Sequence, residues 1–154
     1  MDNCFISGET LILLSDGSTD QVRELYRKNQ PTEIYSSDQR NTITTAECIS
    51  IDKKDFNNEE TFNIILSNNM SLRCSGETTL LSSMGFGIKA KELRETDALM
   101  TYGKTRATIV KIEKDDKPRE LYSIKATPTK NFIAISRNSV QNDSREIQGI
   151  IIGE

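Results

Sequence analysis

Eleven short apolar runs separated by turn signals constrain this 154-residue chain more than any other feature. They lie at 10–14, 33–36, 43–51, 62–66, 71–74, 79–81, 98–102, 108–112, 121–126, 131–135 and 150–152. Runs of that length at that spacing predict an all-β sandwich or barrel-like fold, not alternating strands and helices. Asp16-Gly17, Asn68-Asn69, Met84-Gly85 and Lys117-Pro118 fall between runs, where a positive or fixed φ is useful. Asn68-Asn69 separates two runs as a hairpin turn would. Helical periodicity is confined to 20–28, where Val22, Leu25 and Tyr26 share a face behind Asp20 as N-cap, and to 89–95 around Ala90 and Leu93. Two polar stretches, 53–60 and 136–148, are expected to be surface loops. The second exceeds what a turn needs.

A chain of this length is expected to form one domain, 1–154, able to bury its own core. The sequence holds no Trp and nine Phe plus Tyr, so that core rests on Ile, Leu and Val. A net charge of −3 gives no broad positive field, and nucleic acid is not an expected partner. No apolar run approaches the length of a membrane helix, and the N-terminus lacks a signal-peptide pattern. The expected setting is therefore cytoplasmic, or within an intracellularly assembled particle such as a virion.

The sequence contains no histidine, which removes the side chain most often used for proton transfer near neutral pH. Cys4, Cys48 and Cys74 are widely spaced, without a CxxC pair. A structural metal is not expected, and neither is a cofactor or a small-molecule substrate.

The opening Cys4-Phe5-Ile6-Ser7-Gly8-Glu9-Thr10, the Asp16-Gly17 turn and the short helix through Glu24-Leu25 resemble the first motif of the Hint (hedgehog/intein) family. Cys74-Ser75-Gly76-Glu77-Thr78-Thr79-Leu80 is similar to its second motif, Thr-x-x-His-x-x-Leu, with Cys74 at the threonine and Glu77 at the histidine. The segments Gly87 to Leu93 and Asp97-Ala98-Leu99 follow in the family order. Later, Glu120-Leu121-Tyr122-Ser123-Ile124 and Asn131-Phe132-Ile133-Ala134 resemble the paired late strands, with Ser123 replacing an acidic residue and Lys130 a histidine. Gly149 to Glu154 is similar to Gly-Ile-Val-Val-His-Asn, with Gly153 and Glu154 replacing His and the cyclising Asn.

The resemblance implies a compact Hint-like β fold whose chemistry is depleted. Splicing in that family needs a first nucleophile, a downstream nucleophile and an Asn whose amide attacks its own carbonyl, and Glu154 offers a carboxylate instead. Members of a cooperating catalytic set cost orders of magnitude each when lost. The leading expectation is thus a catalytically degenerate domain acting as a structural or protein–protein interaction module, with other subunits of an assembly, such as a phage particle, as partners. The competing expectation is self-processing, in which Cys4 attacks the preceding carbonyl at Asn3–Cys4 and Glu77, with its pKa raised by burial, serves as acid beside Cys74. The simpler roles are a solvated Glu77 and a Cys4 that packs as a small apolar group. The resemblance also brings Cys4 near Cys74, where oxidation would join them, although a reducing cytosol opposes this.

Overall fold

A computed structural model describes residues 4–37, 43–67, 70–101, 106–129, 131–135 and 149–153. In chain order the elements are β1 (Ile6–Ser7), β2 (Leu11–Leu13), β3 (Thr19–Gln21), α1 (Val22–Lys28), β4 (Thr32–Ser37), β5 (Ile43–Phe56), β6 (Thr61–Leu66) and β7 (Ser71–Ser75). There follow β8 (Thr79–Leu81), β9 (Gly87–Lys89), a 3-10 turn at Ala90–Glu92, β10 (Ala98–Met100), β11 (Arg106–Lys114), β12 (Arg119–Thr127), β13 (Asn131–Ile135) and β14 (Ile150–Gly153). The fold is all-β, as the apolar runs predict. Its strands form two sheets, in the orders β10-β11-β6-β7-β1-β12-β5-β4 and β3-β2-β13-β14-β8-β9.

Among the described residues every strand pairing is antiparallel, and along each pleated strand successive side chains face opposite sides. β13 shows the consequence: Phe132 and Ala134 enter the main core, while Ile133 and Ile135 join Leu13 and Ile151 in a second apolar cluster. The six-stranded sheet is thereby covered on both faces around β13 and β14, which explains their unbroken apolar sequences. The main core lies between the sheets, with Ile6, Ile64 and Leu72 from one and Ile12, Leu80 and Ile152 from the other. Full burial of each such side chain stabilises by about 1.5–3 kcal/mol. At the start of β14, a Cβ on Gly149 would sit 2.3 Å from Ile133 Cγ2, so this close approach admits only glycine.

Several expectations change. Residues 53–56 are not loop but the end of β5, paired residue by residue with β12 from Arg119↔Phe56 to Tyr122↔Lys53. That end is exposed, which allows it polar side chains while the backbone continues the ladder. The helix begins at Val22, and Asp20 belongs to β3; the N-cap is Gln21, without a side-chain cap bond. Asp20 instead accepts from the Gln21 N–H at 2.9 Å and pairs with Lys28 at 2.7 Å. The second predicted helix shrinks to the 3-10 turn, since Leu93 is already extended. The strands β1, β3 and β9 were not among the predicted runs, being two or three residues each and held by their neighbours. The Asn68-Asn69 turn and the 136–148 loop lie outside the described residues.

Candidate functional site

β1 is wedged between β7 and β12, with Ile6 opposite both Cys74 and Tyr122. This places the Cys4–Phe5 segment over the turn that follows β7. The turn closes with the Thr78 N–H donating to the Ser75 carbonyl at 3.1 Å. It carries two hydroxyls into the site, Ser75 and Thr78, 2.9 Å apart and both buried.

Thr78 Oγ1 accepts the Phe5 N–H at 3.0 Å and donates to the Phe5 carbonyl at 3.1 Å. The same carbonyl accepts the Ser75 N–H at 2.9 Å. The Thr79 N–H donates to Cys4 Sγ at 3.4 Å. One turn therefore satisfies both backbone groups of Phe5 and supplies a donor to the candidate nucleophile. On its other side Leu80 pairs with Ile152 of β14, so the turn into β8 gathers both the first and the last strands of the chain. Asn3, Lys130 and Glu154 lie outside the described residues.

Cys74 is fully buried, with its pKa pushed up to about 12, chiefly by burial, with nearby Cys4 adding to it and Thr78 opposing it. It is therefore a neutral thiol that packs beneath β1. Cys4 is buried as well, and none of the described cysteines is in a disulfide. Glu77 lies elsewhere. Its half-exposed carboxylate pairs with Lys91 at 2.5 Å and Lys89 at 2.9 Å, and those two hydrogen bonds bring its pKa down to about 2. An acid needs a raised pKa to hold a proton near neutrality, and here the shift runs the other way.

Thr78, not Glu77, is thus the side chain that touches the Cys4–Phe5 segment. Ser75 and Thr78 keep the three-residue spacing of the Thr-x-x-His motif one position further along the chain. The signal was present in the sequence: hydroxyls at both Ser75 and Thr78 match a threonine-led polar motif better than Cys74 and Glu77 do. Ser123 is buried on β12 next to Tyr122, and its hydroxyl has no hydrogen-bond partner among the described residues. Among the described residues no cluster of His, Cys, Asp and Glu could hold a metal ion, and no helix is long and apolar enough to cross a membrane.

No family model and no curated relative matches the sequence. Solved structures do match. The TvoVMA intein aligns with a TM-score of 0.77 at 18% identity, over 97% of this chain and 97% of that one. A DnaB intein from Synechocystis sp. PCC 6803 aligns at 0.75 and 17% identity, covering 96% and 97%. The fold is the Hint fold of inteins. The match extends to a bacterial intein-like domain from Clostridium thermocellum, with a TM-score of 0.76 at 12% identity and complete coverage of both chains. Identities this low establish the Hint architecture, while the chemistry must be argued from the side chains.

Proposed function

We propose that this Hint-fold domain has lost splicing chemistry and serves as a structural or protein–protein interaction module, one component of a larger assembly. The observation that carries this reading is the identity of the group facing the Cys4–Phe5 segment, the hydroxyl of Thr78. A threonine hydroxyl cannot supply a proton to a departing amide nitrogen as an imidazolium does. The nearby carboxylate, Glu77, is held as an anion by two lysines. Met84 and Phe86, 81% and 56% exposed at the tip between β8 and β9, give the fold an apolar contact point for another chain.

The second reading is favoured by the Thr79 N–H on Cys4 Sγ, since a donor there stabilises a thiolate. In it, Sγ bonds to the Asn3 carbonyl carbon, the Asn3–Cys4 C–N bond breaks, and the proton moves to the Cys4 nitrogen. Water then releases the thioester.

Intact-mass measurement separates the two. The purified chain, carrying a short extension before Met1, is incubated at neutral pH with and without dithiothreitol. An unchanged mass is the expected result. Thiol-dependent loss of everything through Asn3 would establish self-processing instead.

A further inference from the structure

A cavity of about 340 Å³ opens between the β1–β2 turn, helix α1 and the turn joining β11 to β12, near the lower end of the range for small-molecule sites. Four cationic side chains reach it: Arg23, Arg27, Lys117 and Arg119. Two of them are compensated. Arg27 pairs with Glu24 at 2.8 Å, and Arg119 pairs with buried Asp115 and with Asp116. The two carboxylates on the rim are also engaged, Glu9 with Arg73 at 3.3 Å and Glu120 with Lys53 at 3.4 Å. Among the described residues no carboxylate lies within ion-pair reach of Arg23 or Lys117. Two uncompensated positive charges therefore meet at one cavity on a chain whose net charge is −3.

The placement of Arg23 is built into the backbone. Its N–H donates to the Gly8 carbonyl at 3.0 Å. A Cβ on Gly8 would sit 2.7 Å from Tyr122 Cε1 and 2.9 Å from Arg23 Nε, so the guanidinium occupies space that only glycine leaves free. Tyr122 and Pro118 add carbon surface to an otherwise polar lining.

We propose that this cavity binds a phosphate monoester on a small organic molecule, its dianion held by Arg23 and Lys117. A guanidinium fork matches phosphate oxygens, and an ammonium acts as a point charge beside it. The volume exceeds a bare phosphate and leaves room for the ester group against Tyr122 and Pro118. The site is separate from the Cys4 turn and requires no activity of it. It departs from the sequence-based expectation of no small-molecule ligand, because single cations scattered at 23 and 117 give no sign of meeting.

Calorimetric titration of the full chain with adenosine 5′-monophosphate, inorganic phosphate and adenosine tests the proposal. The monophosphate is expected to bind, inorganic phosphate more weakly, and adenosine not at all. The double variant Arg23→Gln/Lys117→Gln, at two exposed positions, is expected to weaken binding by about tenfold or more. Gly8→Ala, which displaces the guanidinium, is expected to act in the same direction. Equal binding of adenosine, or unchanged binding by the double variant, would overturn the assignment. So would inorganic phosphate binding as tightly as the ester, or the absence of any heat and any phosphorus resonance shift up to about 10 mM monophosphate.

Discussion

The Thr79 amide donates to Cys4 Sγ at 3.4 Å across 75 positions of sequence. The adjacent Thr78 hydroxyl takes both backbone groups of Phe5. Together they fasten the first strand of the Hint fold onto the turn between β7 and β8.

Replacing Thr78 by Val keeps the shape and removes the hydroxyl. It leaves the Phe5 N–H without its acceptor in a partly buried site and removes the Ser75–Thr78 hydroxyl bond, at a cost of about 1–3 kcal/mol. Urea unfolding is expected to show that loss for Thr78→Val and little change for Glu77→Gln, whose carboxylate is on the surface. Equal effects at the two positions would mean that the Ser75–Thr78 turn does not anchor β1.

The buried thiols set an alkaline limit. Cys74 has its pKa pushed up to about 12 and Cys48 to about 11, both mainly by burial, against an ordinary value of 9.0. Below pH 9 both thiols are neutral in folded and unfolded chains, and stability is complete. As pH rises from 9 towards 11 and 12 the unfolded chain loses these protons first, so stability falls. Melting temperature is expected to decline across that window, and Cys48→Ala/Cys74→Ala to flatten the decline. At pH 8, labelling by a thiol reagent is expected to be at least about 100-fold slower in the folded protein than in denaturant, where three thiols react.

Much of the fold was legible because strand alternation and turn residues are local signals. The runs at 131–135 and 150–152 announce β13 and β14 without help from the rest of the chain. What local signals miss is structure imposed from a distance. The polar end of β5 is a strand because β12 lies beside it, and Ile6–Ser7 is a strand only because β7 and β12 flank it. The site shows the same division. Cys4 and Cys74 were marked as neighbours, but the choice between Glu77 and Thr78 turned on a one-residue register. That register depends on where β7 ends and its turn begins, the least determined feature of a strand read from sequence.

Asn131 joins the two sheets. Its Nδ2 donates to the Ser37 carbonyl at 2.8 Å, its Oδ1 accepts the Ser37 N–H at 2.7 Å, and Ser36 Oγ lies 3.0 Å from its carbonyl. β4 ends one sheet and β13 lies inside the other, so these bonds replace the ladder contacts the strands cannot make. Asn131→Ala removes both side-chain bonds to the buried Ser37 backbone and is expected to cost roughly 1–3 kcal/mol in urea unfolding. Asn131→Asp retains the acceptor but aims a carboxylate at the Ser37 carbonyl, and is expected to lose at least as much. A loss below about 0.5 kcal/mol for Asn131→Ala would show that the sheets are held by apolar packing alone.

Asp115 sets the acid limit. Its side chain is 1% exposed and pairs with Arg119 and, at 3.3 Å, with Arg73, while the Asp116 N–H donates to it at 2.8 Å. Burial pushes the carboxyl pKa up, but the Arg119 and Asp116 hydrogen bonds and the Arg73 charge outweigh it and leave the group below its ordinary 3.8. The folded chain therefore releases this proton more readily than the unfolded chain. The resulting stability is present above about pH 4 and is lost as pH falls below it. Asp115→Asn leaves two guanidinium groups without their shared carboxylate and is expected to destabilise at pH 7 by roughly 2–4 kcal/mol. The discriminating measurement is the pH profile of unfolding between 7 and 2. Glu77, lowered to about 2 by its lysines, loses its own contribution in the same window, so the comparison is made in the Glu77→Gln background. There the parent is expected to lose stability steeply below pH 4 and the Asp115→Asn variant to show a shallower profile, because the group whose protonation drives the fall has been removed. Parallel profiles would place the acid sensitivity elsewhere and reduce Asp115 to a packing role.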